Sequence, residues 1–436
     1  MRRQDLLALG FMTFALFLGA GNVIYPPMVG QQAGDHLLMA AAGFLITAVG
    51  LPLMTLVSMA LAGGPQKMTA DIPRRWHQLF WTALFLVIGP AFAIPRMAVV
   101  AYEMGFLPFV EQTQGWHLAL YSAVFYLLAW VFALNPGSLI KTVGKLMTPA
   151  LILLLAAIAW GTLSNPQGAI TFAVGDYAHH PFSEGLVQGY MTMDCLAALG
   201  FGAVIANTVR SLGVTQPVMM ARYTVYAGLM AAVGLGLVYL VLMYLGATSH
   251  EVAGQATNGG QVLALYVAAL FGLPGKVLLA SVITLACLTT AVGVGASCAN
   301  FFSTQSQRLS YTMAITVIML VSAVVANVGL TQLITLSVPV VVTLYPLAVA
   351  FVVLGLLRRG LSAPGDVYFT VTLVTACFAV LDGLKAAGLL PTVLAETFSH
   401  WLPLFDAGLG WLLPFAVTLV TTWAGQRYRR ALQPQS

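Results

Sequence analysis

Runs of about 20 apolar residues, the length of helix that crosses the hydrocarbon core of a bilayer, recur along nearly all of this 436-residue chain. They leave no stretch long enough for a separate water-soluble domain. Composition agrees, because 60% of the residues are hydrophobic and 7% are charged, where soluble domains carry about a quarter charged residues. The expected fold is all-α integral membrane, with twelve transmembrane helices near 6–30, 37–62, 78–102, 116–134, 142–163, 186–209, 223–248, 276–302, 310–327, 331–357, 367–384 and 408–425. The first run exceeds the length of a secretory signal, and Pro26-Pro27 is no small-residue cleavage site, so it is read as a permanent helix.

Basic residues of short loops stay cytoplasmic, which tests the count internally. Arg2, Arg3, Lys67, Arg74, Arg75, Lys141, Lys145, Arg210, Arg222, Arg308, Arg358, Arg359, Arg427, Arg429 and Arg430 all fall on one side of a twelve-helix arrangement. Lys276 and Lys385 fall on the other, together with acids such as Asp35, Glu103, Glu111, Asp176, Glu184, Glu251, Glu396 and Asp406. A miscounted helix would scramble that sorting. Both termini are therefore expected in the cytoplasm, and the net charge of +5 reflects topology and anionic lipid, with no nucleic-acid partner implied.

Four cysteines, Cys195, Cys287, Cys298 and Cys377, lie inside the spans without ligand spacing and read as small buried residues. The pair His179-His180 reads as solvated loop. Two stretches outside the spans, 261–271 and 389–404, look amphipathic and suit short interfacial helices on the outer side.

Lipid offers no partner to a backbone amide, so clustered Gly and Pro within a span mark a helix broken around a cavity. The first span holds Gly19-Ala20-Gly21-Asn22 followed by Pro26-Pro27, and the sixth holds Ala198-Leu199-Gly200-Phe201-Gly202. The two clusters lie five helices apart. That spacing predicts a 5+5 inverted repeat, helices 1–5 (about 6–163) matched to 6–10 (about 186–357), with helices 11–12 (about 367–425) added in a single transporter domain over 1–436. Small residues can also serve close helix packing alone. Two clusters in corresponding positions favour breaks. A broken helix exposes N–H groups that suit an anion and carbonyls that suit a cation, so a zwitterion and a small cation fit one site without charged side chains.

The residues 17–27, Phe-Leu-Gly-Ala-Gly-Asn-Val-Ile-Tyr-Pro-Pro, resemble the opening helix of the branched-chain amino acid:cation symporters, the BrnQ or LIVCS family. Residues 88–96 (Ile-Gly-Pro-Ala-Phe-Ala-Ile-Pro-Arg), 193–198 (Met-Asp-Cys-Leu-Ala-Ala) and 285–293 (Leu-Ala-Cys-Leu-Thr-Thr-Ala-Val-Gly) carry the same likeness along nearly the whole chain. A more distant likeness to LeuT-fold sodium-coupled transporters implies roles for single residues. It implies that the N–H groups of Ala20 and Gly21, between Gly19 and Asn22, hold a substrate carboxylate. It implies that Phe201, flanked by Ala198, Gly200 and Gly202, lines the pocket for the substrate's side chain. In helix 8, Ala286-x-Leu288-Thr289-Thr290 implies a sodium site made of Thr289, Thr290 and the carbonyls of Ala286, Ala15 and Leu18. A second sodium of those relatives takes a hydroxyl from helix 6, where this chain has Leu196, so one coupling sodium is expected.

Two ionisable residues lie within the spans, Arg96 and Asp194, and each needs a partner or water at a cost of about 2.5–3.5 kcal/mol on insertion scales. Asp194, placed just before the expected break of helix 6, can receive the substrate ammonium or a proton. Arg96 is expected to snorkel to the outer interface, the alternative being a gate pair with Asp194. No nucleotide-binding loop, ring of repeated polar residues or cluster of catalytic groups is present, which argues against an ATPase, a channel or an enzyme. The expectation is a plasma (inner) membrane symporter that imports Leu, Ile or Val with sodium, has no organic cofactor and needs no protein partner. Proton coupling, or a broader range of neutral amino acids, is the alternative.

Overall fold

Backbone amides in lipid must bond within their own segment, and the described chain is helical throughout, with no strand among the described residues. The computed structural model describes residues 2–110, 114–134, 145, 147–361 and 363–432. Helices α1 (Arg3–Phe17) and α2 (Ala20–Ala33) are followed by α3 (Leu37–Leu45) and α4 (Leu51–Ala62), the latter two joined by a π-turn. Next come α5 (Arg74–Leu86), α6 (Ala93–Gly105), α7 (Gly115–Ala133) and α8 (Thr148–Ser164). The chain continues with α9 (Pro181–Met191), α10 (Asp194–Ser211), α11 (Pro217–Ala247), the single turn α12 (His250–Ala253) and α13 (Gly259–Gln305). It ends with α14 (Tyr311–Ala326), α15 (Leu330–Leu357), α16 (Pro364–Ala386), α17 (Thr392–Trp401) and α18 (Leu412–Leu432).

Eight helical stretches among the described residues are long and apolar enough to cross a membrane, and α8 and α14 are apolar but shorter. Large apolar side chains such as Leu153, Trp160, Leu237 and Val324 stand more than half exposed on the outside. That surface suits acyl chains, and the protein is a multi-pass membrane protein. The start of the fifth expected span at 142–144, with Lys141 and Glu111, lies outside the described residues. Residues 261–271 are helical, forming the part of α13 that precedes a kink at Gly272, whose φ of 60° and ψ of −137° suit glycine. The 389–404 stretch contains α17.

Among the described residues three of the expected spans are interrupted near their middles. Between α1 and α2 the chain leaves the helix at Leu18 and Gly19, where the Gly-Ala-Gly-Asn cluster predicts it, while Pro26 and Pro27 are accommodated inside α2. The interruption in the sixth expected span lies at Thr192 and Met193, and not at 198–202. Residues 198–202 sit inside α10, where glycine serves packing: a Cβ on Gly200 would come 2.8 Å from Ile88 Cδ1, and one on Gly202 would run into the Met59 side chain. Met193 instead takes the left-handed conformation at φ 64°, a cost of roughly 1–2 kcal/mol for a residue with a Cβ. Asp194 therefore follows the break as the first residue of α10 and does not precede it. The third interruption, between α5 and α6, has Gly89 at ψ −125° and was not expected from sequence.

Cysteines 195, 287 and 298 are buried thiols, but Cys377 is exposed, because α16 turns that face outward.

Candidate functional site

The first break is closed by a side chain from its own helix. Asn22 Oδ1 accepts the Gly19 N–H at 3.0 Å, capping α2 three residues back. The same amide donates through Nδ2 to Asp194 Oδ2 at 2.6 Å and also meets the Tyr239 hydroxyl on α11. Tyr239 donates to Asp194 Oδ2 at 2.9 Å, and the Asp194 N–H meets Thr192 Oγ1 at 3.4 Å. Asn22, Asp194 and Tyr239 are all buried, so one hydrogen-bonded cluster ties the two breaks and α11 together. A carboxylate at the first turn of α10 is further favoured by the helix dipole. Tyr239 was missed in the sequence, where α11 reads as an ordinary apolar helix.

A small cavity lies between the breaks. Phe17, Asn22, Arg96, Met97, Asp194 and Thr290 line it, and Ile88, Met193, Ala197 and Val294 complete an apolar wall. The Ala20 N–H points at Met97 Sδ, 3.3 Å away. Gly21 leaves room for Arg96, since a Cβ there would stand 2.9 Å from Nη2. Phe201 is buried and packs edge-on to Phe17 with ring centroids 5.5 Å apart, one layer behind the cavity surface. Ala198, Gly200 and Gly202 do not line this cavity. Gly200 borders a second, open cavity between α5, α10 and α13, whose lining includes the amides Asn207 and Asn300.

Arg96 does not snorkel. It is only 2% exposed, because Nη1 donates to the Tyr25 hydroxyl at 3.3 Å and the Met191 carbonyl at 3.2 Å, with the guanidinium carbon 5.7 Å from the centre of the Tyr25 ring. These contacts join α2, α6 and the end of α9 on one side of the cavity. Among the described residues Arg96 forms no ion pair with Asp194.

Beside the same break, oxygens from α1 and α13 converge. Thr289 Oγ1 donates to the Ala15 carbonyl at 3.2 Å and the Ala286 carbonyl at 3.0 Å, and Thr290 Oγ1 donates to the Ala15 carbonyl at 3.2 Å. Leu18, at ψ 81°, turns the chain out of α1 beside them. The cluster is buried and built of uncharged oxygens, the donor set of a hard monovalent cation. Among the described residues no group of three or more His, Cys, Asp or Glu is placed to hold a metal ion.

A family model described as "Branched-chain amino acid transport protein" matches residues 2–428. The chain is 49% identical, over 95% of its length and 94% of the relative's, to the branched-chain amino acid transport system 2 carrier protein of Pseudomonas aeruginosa. Among solved structures it is similar to a nucleobase-cation-symport-1 family transporter with bromovinylhydantoin bound, at a TM-score of 0.63 and 12% identity over 98% of this chain and 93% of the other. It is also similar to MhsT in complex with L-phenylalanine, at a TM-score of 0.53 and 14% identity over 94% of this chain and 96% of the other.

Proposed function

Because the chain belongs to the branched-chain amino acid transport protein family, a family of transporters and not of enzymes, we propose that it is a symporter importing Leu, Ile or Val with one sodium ion by alternating access. The observation that carries the coupling is the meeting of Thr289, Thr290, Ala15 and Ala286 oxygens at the first break, next to the cavity. Sodium seated there, with the Leu18 carbonyl added, ties α13 to α1 and sets the shape of the adjoining substrate site.

In this reading the zwitterion lies in the central cavity. Its ammonium meets Asp194, its carboxylate meets the N–H groups of Ala20 and Gly21 between Gly19 and Asn22, and its branched side chain meets the apolar wall backed by Phe17 and Phe201. Ala198, Gly200 and Gly202 shape α10 behind that wall. Twelve spans carry the site, α1–α8 and α9–α15 forming the two inverted halves and α16–α18 completing the chain, with both termini cytoplasmic in the plasma (inner) membrane. The sodium gradient supplies about 2.3 kcal/mol per charge per 100 mV plus its concentration term. A buried carboxylate in the cavity favours one second reading, in which a proton carried by Asp194 replaces sodium. Leucine uptake by proteoliposomes under an inward sodium gradient alone, or a proton gradient alone, separates them. Uptake driven by the proton gradient and indifferent to sodium overturns the sodium reading.

A further inference from the structure

Arg96 stands where a helix dipole disfavours a cation. It lies in the first turn of α6, its N–H bonded to the Phe92 carbonyl, so its charge adds to the positive end of that helix. The start of α2 contributes a second positive end at Gly21, which abuts Arg96 Nη2. The guanidinium is 2% exposed, and its contacts are neutral: a tyrosine hydroxyl, a backbone carbonyl and an aromatic face. Its Nε is buried and has no hydrogen-bond partner among the described residues. The carboxylate on the same cavity, Asp194, is held by Asn22 and Tyr239 and makes no ion pair with it. Asp194 is the acid that lines this cavity, and it faces the positive charge without pairing with it.

Resting on the amino-acid reading above, we propose that Arg96 is a substrate-binding residue that pairs with the substrate carboxylate, the interrupted third membrane helix thereby supplying half of the anion subsite. The break at Val87–Ala91 is what brings the start of α6 to the cavity, since an unbroken helix would present a sealed backbone there. Arg96 and Asp194, unpaired with each other, form a dipole matched to a zwitterion. A guanidinium suits the task because its planar fork grips both carboxylate oxygens. The same contact explains Gly21, where any side chain would displace Arg96 Nη2.

The test compares binding of leucine, leucinol (no carboxylate) and 4-methylpentanoate (no ammonium) to purified wild type, Arg96→Gln and Arg96→Lys, read by ligand-induced thermal shift in sodium buffer. Wild type should favour leucine over leucinol strongly. Arg96→Gln should weaken leucine by about thirtyfold or more, the loss expected on truncating one side of a buried charge pair, while leaving leucinol unchanged, so the preference collapses. Arg96→Lys keeps the charge without the fork and should fall between, and it carries the test if the Gln variant does not fold. An unchanged leucine-to-leucinol preference in either folded variant overturns the proposal, as does equal loss of both ligands, which a merely structural arginine produces. Failure of wild type to bind leucine at all is a different result, and it removes the amino-acid reading itself.

Discussion

At the residue scale, a few buried polar atoms with partners on different helices hold the breaks together. Thr289→Val and Thr290→Val keep side-chain shape and remove one oxygen each from the cluster at Ala15. Each should raise the sodium concentration for half-maximal leucine uptake by about tenfold, the worth of one polar contact of roughly 1.4 kcal/mol, and an unshifted sodium curve in both would remove the ion from this place. Asp194→Asn removes the charge but keeps the size, so uptake should drop sharply while the protein still purifies as a folded monodisperse species. Tyr239→Phe leaves Asp194 Oδ2 with the Asn22 donor alone. Loss of a buried hydrogen bond costs about 1–3 kcal/mol, which scanning calorimetry should read as a lowered melting temperature.

Helices 1, 2, 6 and 7 of the sequence reading are bound to one another at the element scale by glycine contacts that bring backbones together. A Cβ on Gly30 of α2 would run into the Met243 carbonyl of α11, and one on Gly246 of α11 into the Pro27 carbonyl. Gly43 of α3 stands in the same way against the Phe182 carbonyl of α9, and Gly185 of α9 against that of Ala40. Such contacts cannot slide without collision, so α2 with α11, and α3 with α9, should each move as a pair. Gly30→Ala and Gly246→Ala should each destabilise the protein by about 1–3 kcal/mol, as overpacking does; unaltered melting in both would show that the helices separate easily. This scale also sets what a sequence reveals. The first break was legible because Gly19, Gly21 and Asn22 are residues a continuous helix tolerates poorly. The second was not, because Thr192-Met193 carries no Gly or Pro and its left-handed residue is held by tertiary contacts. Gly200 and Gly202 gave the opposite error, small residues serving packing in an intact helix. Arg96 and Tyr239 could not be placed from spacing, since their partners come from helices distant in the chain.

For the whole molecule, hydropathy and length were enough to indicate a multi-pass helical membrane protein, because lipid permits few other structures. Of the five residues that the sequence assigns to a sodium site, Thr289, Thr290, Ala15 and Ala286 meet within hydrogen-bonding distance. Of the residues expected at a substrate site, Asn22 and Asp194 line the small cavity, whereas Gly19, Ala20, Gly21, Ala198, Gly200, Phe201 and Gly202 are not in its lining. In the proposed reading a cation and a zwitterion share one break, and coupling between two such sites is reciprocal. The most direct measurement is therefore the equilibrium dissociation constant of leucine on the purified protein, taken across sodium concentrations at fixed pH and ionic strength, with potassium as the replacement ion. Sodium coupling at this break requires that leucine binding tighten as sodium rises and level off at saturation, with this dependence weakened in Thr289→Val. A leucine affinity that stays constant from zero to saturating sodium would contradict it.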